Sequence, residues 1–472
     1  MAPSVGEPRN LTRTTRLFLQ VHLTPARLLV YSFLALIGIG TVGLEVLPGL
    51  YSGDGLSWVD ALFTATSAVC VTGLIVVDTA EYFTRWGQAY ILLLVQLGGL
   101  GILTFTTLAI LALGRRLSLH QEALTGRVRE ILPDLDVGQI VRSIFLLTFL
   151  FEGLGGALLL LLWQARFPWP EALWHAVFQA VSAFCNAGFS TFSDSLVGFR
   201  HSPLSLLVIM ALVVLGGLGF LTLEELRPPW LRRRSSSPRR LSLHSRLVLT
   251  TSAVLLVGGG IFFLGMEWRN TLADMSVVDR ITNGMFMSVT ARTAGFNTVD
   301  YAATSESSDF VTMLLMAAGG SPGSTAGGMK TTTVALLGLL ALARLRGHRV
   351  TSAWGRTVPE ETVQRAVGLF VMAFGVMTLG TLLFSFLEAP PGDHAAVPGM
   401  FLAHMFEAVS AFNTVGLSTG VTPELSQASR VLTTGLMFVG RVGPLTFATA
   451  VALGRPGPGD EFRYAHEDVV IG

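Results

Sequence analysis

Residues 61–74 read ALFTATSAVCVTGL, a short apolar segment that passes through small and hydroxyl residues into a glycine. Three further segments end in the same way, so that the four endings are CVTGL (70–74), CNAGF (185–189), RTAGF (292–296) and NTVGL (413–417). The glycines recur at roughly a quarter of the chain, and recurrence at a near-constant period indicates internal repeats. The sequence therefore predicts four copies of one structural unit.

The composition places these copies in a membrane. Of the 472 residues, 51% are hydrophobic and only 13% are charged, and the mean hydropathy is +0.60. Such a chain is too apolar for an ordinary soluble protein. A membrane span needs about 20 apolar residues, and the stretches of that length are 27–48, 87–113, 140–163, 204–226, 246–266, 309–342, 364–387 and 431–453.

Each glycine-ended segment lies between two successive spans and is too short to cross a membrane alone, which is typical of a re-entrant helix. The predicted fold is an all-α membrane protein with eight transmembrane helices. Its four repeats of outer helix, pore helix and inner helix surround one ion pore with pseudo-fourfold symmetry. The predicted boundaries are 1–26 for the N-terminus, 27–113, 139–226, 246–342 and 363–453 for the repeats, 114–138, 227–245 and 343–362 for the connecting loops, and 454–472 for the C-terminus.

The distribution of arginine orients this arrangement. Arginines cluster before the first span and in the three connecting loops, and they are sparse in the opposite loops. Under the positive-inside rule both termini are then cytoplasmic, in a multi-pass protein of the plasma (inner) membrane. The basic linker 227–245 is interpreted as a determinant of topology, and nucleic-acid binding is the remote alternative.

The glycine segments predict a cation filter. Glycine accepts a positive φ, which turns successive carbonyls toward one axis, and rings of backbone carbonyls are how a potassium filter replaces the hydration shell of the ion. The candidate K⁺ ligands are the carbonyls of Val71, Thr72, Gly73, Asn186, Ala187, Gly188, Thr293, Ala294, Gly295, Thr414, Val415 and Gly416.

Charged residues flank these segments. A cation at Arg292 would repel K⁺ if it pointed into the pore, so we expect it to point away and to pair with a carboxylate, of which Glu407 is a candidate. Asp78, Asp194 and Asp300 follow three of the glycines. They either concentrate cations at the mouth or cap the next segment.

A second motif recurs in the inner helices. It reads GGLGILTF from Gly98, GGLGFLTL from Gly216 and GRVGPLTF from Gly440, and the third copy has GGSPGSTAGGMKTTT from Gly319. Small residues inside a membrane helix are commonly packing notches. The recurrence favours the alternative, in which these glycines line a cavity below the filter.

The third copy of this motif predicts a gate. Its glycines and one proline would break a helix, and irregular backbone at membrane depth survives only when it is buried in protein or lines water. A loop that plugs the cavity satisfies both conditions, and a kinked helix is the alternative. Lys330 is the only lysine in the chain. Lys330 and Arg441 either act as electrostatic barriers or tethers that open and close with the loop, or Lys330 anchors at the cytoplasmic interface. The candidate gate residues are Gly319, Gly320, Ser321, Pro322, Gly323, Ser324, Thr325, Ala326, Gly327, Gly328, Lys330 and Arg441.

CVTGL, CNAGF, RTAGFNT, NTVGL and above all GGSPGSTAGGMKTTT resemble the Trk/Ktr/HKT superfamily of potassium-translocating subunits, and more closely its KtrB branch. The resemblance covers nearly the whole chain. It implies a homodimer with one pore per protomer, seated on a cytosolic ring of nucleotide-binding RCK-domain subunits of the KtrA type. It also implies that segment 319–330 is the gating loop and that Arg441 contacts it. Gly73, the glycine of the first filter segment, implies a preference for K⁺. Sodium-dependent activation is common in the Ktr branch, which makes Na⁺ a candidate activator.

Other classes of function remain as alternatives. An ion-coupled secondary transporter usually has one midplane site and twofold symmetry, and the fourfold count argues against it. A less selective Na⁺/K⁺ transporter would follow from the single glycine in each filter segment. A membrane enzyme is not predicted, because the nine histidines form no pattern such as HExxH. We expect no organic cofactor in this chain, and surrounding membrane lipid as its environment.

Overall fold

The computed structural model describes residues 25–112, 137–226, 241–388 and 399–443. These ranges are helical except for connecting turns, short 3₁₀ helices and a small ladder between β1 (Ser352–Ala353) and β2 (Arg356–Thr357). The expectations for 1–26, for 114–138, for most of the linker 227–245, for 454–472 and for the end of the last span fall largely or wholly outside these ranges.

The helices follow the same order in each quarter of the chain. A long helix comes first, a shorter helix leads into the glycine segment, and one or two further helices follow. The first copy contains α1 (Pro25–Val46), α2 (Trp58–Val69), α3 (Thr79–Tyr82) and α4 (Arg85–Ala112); the second contains α5 (Val137–Trp163), α6 (Trp169–Cys185), α7 (Pro203–Gly217) and α8 (Phe220–Leu226). The third contains α9 (Leu243–Glu267), α10 (Val277–Thr290), α11 (Glu306–Ala317) and α12 (Thr331–Leu345); the fourth contains α13 (Glu360–Leu387), α14 (Met400–Asn413) and α15 (Gln427–Val442).

Serine hydroxyls fix where several of these helices begin. Ser57, Ser276 and Ser426 each precede a helix in extended conformation and accept a hydrogen bond from the backbone N–H three residues later. This contact satisfies one of the N–H groups that the first turn leaves without a helical partner. The start of α2, of α10 and of α15 is therefore a local property of the sequence.

The four copies pack in a closed order. Helix α4 of the first copy contacts α6 of the second, α7 of the second contacts α10 of the third, α11 of the third contacts α14 of the fourth, and α15 of the fourth contacts α2 of the first. In each copy, one helix after the glycine segment thus packs on the short helix of the next copy. This order brings the four glycine segments to one place.

The outward faces of the long helices are apolar. Four helices in the described ranges are long and apolar enough to cross a membrane, namely those at 27–46, 141–163, 243–267 and 360–387. Large side chains such as Leu154, Ile261 and Phe386 are more than half exposed on them, and exposed apolar surface of this extent suits contact with lipid. The chain is an all-α, multi-pass membrane protein.

The span predicted for 204–226 is not one straight helix. Helices α7 and α8 meet at an angle of 106° across Leu218 and Gly219, and together they count as a fifth possible span. Gly219 has a φ of +83°, a conformation that glycine adopts without the steric cost of a side chain. The third copy is also interrupted, because residues 318–330 between α11 and α12 are not helical.

Candidate functional site

The four glycines form a closed ring at the centre of the fold. A Cβ on Gly188 would lie 2.9 Å from the Cα of Gly295, and one on Gly295 would lie 3.3 Å from the Cα of Gly416. A Cβ on Gly416 would lie 3.1 Å from the Cα of Gly73, and one on Gly73 would lie 3.0 Å from the Cα of Gly188. The segments that the sequence separates by roughly a hundred residues therefore touch in cyclic order.

Carbonyl oxygens fill the spaces between neighbouring glycines. The nearest atom to a Cβ on each glycine, or one of the nearest, is the carbonyl oxygen of the residue before the glycine in the next copy. These oxygens belong to Ala187, Ala294, Val415 and Thr72, for Gly73, Gly188, Gly295 and Gly416 respectively. Any side chain at these positions would meet backbone that has little freedom to move. Glycine is required here by both space and conformation.

Two left-handed residues shape each segment. All four glycines have φ between +70° and +92°, and the residue two positions earlier is also left-handed, with φ between +50° and +68°. These earlier residues are Val71, Asn186, Thr293 and Thr414. Positive φ is costly for a β-branched residue, so closure of the ring imposes this conformation. Left-handed residues therefore alternate with right-handed or extended ones along each segment. This alternation turns successive carbonyls to one side.

Hydroxyl groups at the ends of the short helices brace the segments. The Ser67 Oγ donates to the Leu74 carbonyl at 2.7 Å and accepts from the Gly73 N–H at 3.1 Å. The Ser182 Oγ donates to the Phe189 carbonyl at 2.7 Å, and the Ser410 Oγ accepts from the Gly416 N–H at 3.2 Å. The Thr290 Oγ1 donates to the Phe296 carbonyl. Each brace holds its segment from behind and leaves the carbonyls of the ring free.

A cavity of about 360 Å³ opens on one side of the ring. All four glycines line it, together with Asp78, Asp194 and Asp300. Asp78 and Asp300 also accept hydrogen bonds from the Ala80 and Ala302 N–H groups, at 2.7 and 2.9 Å. Capping and placement at the mouth, which the sequence left as alternatives, are therefore combined in these two carboxylates.

Arg292 points away from the ring, but the expected partner is wrong. The Arg292 Nη2 donates to the Gly319 carbonyl at 3.2 Å and to the Ser252 Oγ at 3.3 Å. Glu407 instead accepts from the hydroxyls of Ser418 and Thr422, the latter at 3.0 Å. The carboxylate is satisfied within its own copy, and the guanidinium reaches a backbone carbonyl that the third-copy loop brings close.

In three of the four inner-helix motifs the first glycine is a packing position, contrary to the cavity-lining interpretation that the sequence favours. A Cβ on Gly98, Gly216 or Gly440 would overlap a carbonyl oxygen at the end of the neighbouring short helix. These notches let α4, α7 and α15 approach the short helices closely. Gly99, the second glycine of the first motif, differs, because a Cβ on it would approach Cys185 and Thr325.

The segment 319–330 lies on the other side of the ring from the cavity. Cβ atoms built on Gly327 and Gly328 would collide with Thr414 and Asn413, which precede the glycine of the fourth copy. The Thr325 Oγ1 donates to the carbonyls of Phe184 and Gly216, at 3.1 and 3.2 Å. The segment therefore contacts the second and fourth copies directly beneath the ring.

The break in the second inner helix accommodates the same segment. The Ser321 N–H donates to the Gly217 carbonyl at 2.9 Å, and the Phe220 N–H donates to the Gly323 carbonyl at 2.8 Å. These bonds satisfy backbone groups that the bend releases from the helix. The bend is not predicted from the sequence. Gly219 occupies the same motif position as Gly443 of the fourth copy, whose φ is also positive.

Lys330 and Arg441 both bind carbonyls of the segment. The Lys330 Nζ donates to the carbonyls of Ala326 and Gly327, at 2.7 and 3.3 Å, so its head group turns into the segment rather than toward an interface. Arg441 is 3% exposed. It donates to the Thr325 carbonyl through Nη1 and to the Gly98 carbonyl at 3.0 Å through Nη2. Arg441 thereby ties the segment to the first copy as well.

Substitution of Gly219 tests how tightly the segment and the bend fit. A Cβ there would lie 2.5 Å from the Pro322 carbonyl oxygen, and a positive φ costs a residue other than glycine about 1–2 kcal/mol. We expect Gly219→Ala to lower the thermal unfolding midpoint in detergent by several degrees. The control is Gly258→Ala, where a Cβ meets nothing within 4 Å. Equal midpoints for the two variants would contradict the fit.

The two cysteines are buried free thiols. The Cys185 Sγ donates to the Gln96 Oε1 at 3.2 Å, and the Gln96 Nε2 donates to Glu152 at 3.1 Å. This polar chain joins the first and second copies beside the segment 319–330. Among the described residues, histidine, cysteine and acidic side chains form no group that could hold a metal ion.

Comparisons with known proteins agree with this architecture. The family model described as "Cation transport protein" (TrkH) matches residues 18–458. The chain is 36% identical to the Ktr system potassium uptake protein B of Bacillus subtilis, over 92% of this chain and 94% of that protein. It is 34% identical to the potassium/sodium uptake protein NtpJ of Enterococcus hirae, over 96% of this chain and 98% of that protein.

A solved structure gives the same fold. The potassium transporter TrkH of Vibrio parahaemolyticus superposes with a TM-score of 0.69 at 18% sequence identity, covering 90% of this chain and 84% of the other. The resemblance to the Trk/Ktr/HKT superfamily and to its KtrB branch is confirmed by these matches. The chain belongs to the TrkH family of cation transport proteins.

Proposed function

We propose that the chain is the pore-forming subunit of a potassium uptake system in the plasma membrane. The observation that carries the proposal is the closed ring of four glycine segments, with a carbonyl between each neighbouring pair and a carboxylate-lined cavity on one side. Backbone carbonyls can replace the hydration shell of K⁺, and the three aspartates raise the local concentration of cations. Relatives named as potassium uptake proteins support the same ion.

The proposed ion path follows the pseudo-fourfold axis. The four repeats supply eight membrane spans, both termini are cytoplasmic, and the filter consists of the residues at 71–73, 186–188, 293–295 and 414–416. K⁺ enters from the outer mouth cavity, sheds water at the carbonyl ring and then meets segment 319–330. That segment acts as the gate because it lies beneath the ring and is held by the side chains of Lys330 and Arg441.

The assembly is proposed from the relatives. Proteins named as component B of a Ktr system imply a multi-component transporter, and we propose a homodimer that binds a cytosolic RCK-domain subunit of the KtrA type. Nucleotide control would then act from the partner through the gate. Na⁺ is proposed as an activator, and this chain needs no organic cofactor for conduction.

A second candidate function is uptake of both Na⁺ and K⁺. It is favoured by the relative named as a potassium/sodium uptake protein, which aligns over 96% of this chain. Ion-coupled secondary transport is the other alternative. Selective K⁺ uptake and uptake of both ions predict different ratios of K⁺ to Na⁺ flux through the same ring. A measurement of that ratio therefore separates them.

Reconstituted protein tests the proposed function. We expect the purified chain in liposomes to carry K⁺ faster than Na⁺ down matched gradients, because a ring of backbone carbonyls can replace the hydration shell of K⁺. The measurement is uptake of ⁸⁶Rb⁺ and ²²Na⁺ in parallel, with empty liposomes as the control. Equal rates would favour the Na⁺/K⁺ alternative, and dependence of K⁺ uptake on an imposed proton or Na⁺ gradient would favour ion coupling.

A further inference from the structure

Arg292 joins the third glycine segment to the first residue of the proposed gate. It lies three residues before Gly295 and two residues after the end of α10, and it is 9% exposed. The hydrogen bond from its Nη2 to the Gly319 carbonyl is 3.2 Å long. A charged donor makes a stronger bond to a carbonyl than a neutral donor does. The contact therefore links a residue of the filter segment to the base of the loop.

The residue at the same position in the fourth copy also contacts the loop. Counting three residues back from each glycine gives Cys70, Cys185, Arg292 and Asn413. Asn413 packs against the far end of the loop, since a Cβ on Gly328 would lie 2.6 Å from its Oδ1. The third and fourth copies thus hold the two ends of the loop from one layer immediately below the filter.

A small cavity beside Arg292 gives its side chain room to move. The cavity has a volume of about 20 Å³ and is lined by Arg292, Ser252, Gly320 and apolar residues of α7, α9 and α10. The Arg292 Nε has no hydrogen-bond partner among the described residues. A water molecule fits a space of this size and would meet this N–H when the loop moves. The contact with Gly319 can therefore break without leaving the whole guanidinium unsolvated.

We propose that Arg292 is a latch that couples the filter segment of the third copy to the gating loop. The latch holds the base of the loop, whereas Arg441 holds its middle at Thr325. Arg292 is a positioning residue, because it acts on the ion path through Gly319. This inference rests on the proposed gating function, and its test is arranged so that the two can fail separately.

The test replaces Arg292 by the residue that the first and second copies carry at this register. Arg292→Cys removes the donor to Gly319 and keeps a side chain that two glycine segments already accommodate. We expect K⁺ uptake into liposomes to rise by about tenfold, the typical effect of one hydrogen bond to a charged group on an equilibrium. The K⁺ to Na⁺ uptake ratio should stay at its wild-type value. Hydrogen–deuterium exchange of residues 318–330 should become faster, while exchange of α10 should not change.

Further variants separate the possible results. Arg292→Lys keeps a cationic donor and should restore uptake toward wild type, and Cys70→Ala changes the same register in the first copy and should leave uptake unchanged. Ser252→Ala removes the second Arg292 contact and should raise uptake by about threefold, which tests the latch even if Arg292→Cys does not fold. Arg441→Gln tests the gate alone and should raise uptake.

The outcomes decide between the latch and the gate. If Arg441→Gln raises uptake while Arg292→Cys and Ser252→Ala match wild type in uptake and exchange, the latch is overturned and the gate stands. If Arg441→Gln also matches wild type, the gating function is overturned with it. A change in the K⁺ to Na⁺ ratio for Arg292→Cys without faster exchange of 318–330 would mean that Arg292 serves the filter only, which also overturns the latch.

Discussion

Deletion of residues 320–328 is expected to give a folded chain that conducts K⁺ faster than wild type. The segment begins and ends at nearly the same place. The Thr331 N–H donates to the Gly320 carbonyl at 2.9 Å, and a Cβ on Gly319 would overlap the Met329 carbonyl oxygen. Joining Gly319 to Met329 therefore needs little rearrangement of α11 and α12.

The physical reason for faster flux is the removal of a plug. The deleted residues include those that contact Phe184, Asn413 and Thr414 beneath the ring, and the deletion leaves Arg441 without the Thr325 carbonyl. If the closed loop opposes conduction by an ordinary coupling energy, its loss raises K⁺ uptake by about tenfold or more. The measurement is ⁸⁶Rb⁺ uptake into liposomes, normalised to the amount of protein that elutes as a single species in detergent.

A second deletion in the same part of the chain serves as the control. Removing Trp354 and Gly355 deletes the exposed two-residue turn between β1 and β2, which lines neither the ring nor its cavity, and should leave uptake at the wild-type level. A folded 320–328 deletion variant with uptake equal to or below wild type would show that the segment does not obstruct the path.

The features that could be predicted from the sequence are those that depend on local stereochemistry. Gly73, Gly188, Gly295 and Gly416 were identifiable because a left-handed turn at the end of a short helix calls for glycine wherever it occurs. The broken third inner helix was identifiable for the same reason, since clustered glycines and Pro322 leave a helix few alternatives.

The features that could not be predicted depend on contacts between copies. Val71 is left-handed because the ring closes around it, whereas its residue type favours extended backbone. The GGLG motif stays helical at Gly101 but bends at Gly219, where backbone groups of the second copy bond the segment of the third at Ser321 and Gly323. The partner of Arg292 was mispredicted for the same reason, as no pattern in residues 292–296 indicates that Gly319 will lie beside them.

Substitution of one filter glycine is expected to change ion selection more than any surface substitution. Gly73 has a φ of +91°, and a Cβ on it would overlap the Ala187 carbonyl oxygen and lie 3.0 Å from the Gly188 Cα. Both neighbours are backbone atoms of the next copy, so Gly73→Ser must displace part of the carbonyl ring. The wrong backbone hand alone costs about 1–2 kcal/mol.

We therefore expect Gly73→Ser to lower the ratio of K⁺ to Na⁺ uptake by about tenfold, since 1.4 kcal/mol of lost preference corresponds to one factor of ten. The matched control is Gly53→Ser, in the same copy, where a Cβ meets nothing within 4 Å. Parallel ⁸⁶Rb⁺ and ²²Na⁺ uptake on both variants gives the ratio. If side chains elsewhere formed the filter, the ratio would be unchanged in both variants. A ring of backbone carbonyls requires Gly73→Ser to lose selectivity and Gly53→Ser to keep it. Combining Gly73→Ser with the 320–328 deletion sharpens the distinction, because removal of a gate raises the rates of both ions while a displaced carbonyl ring changes their ratio.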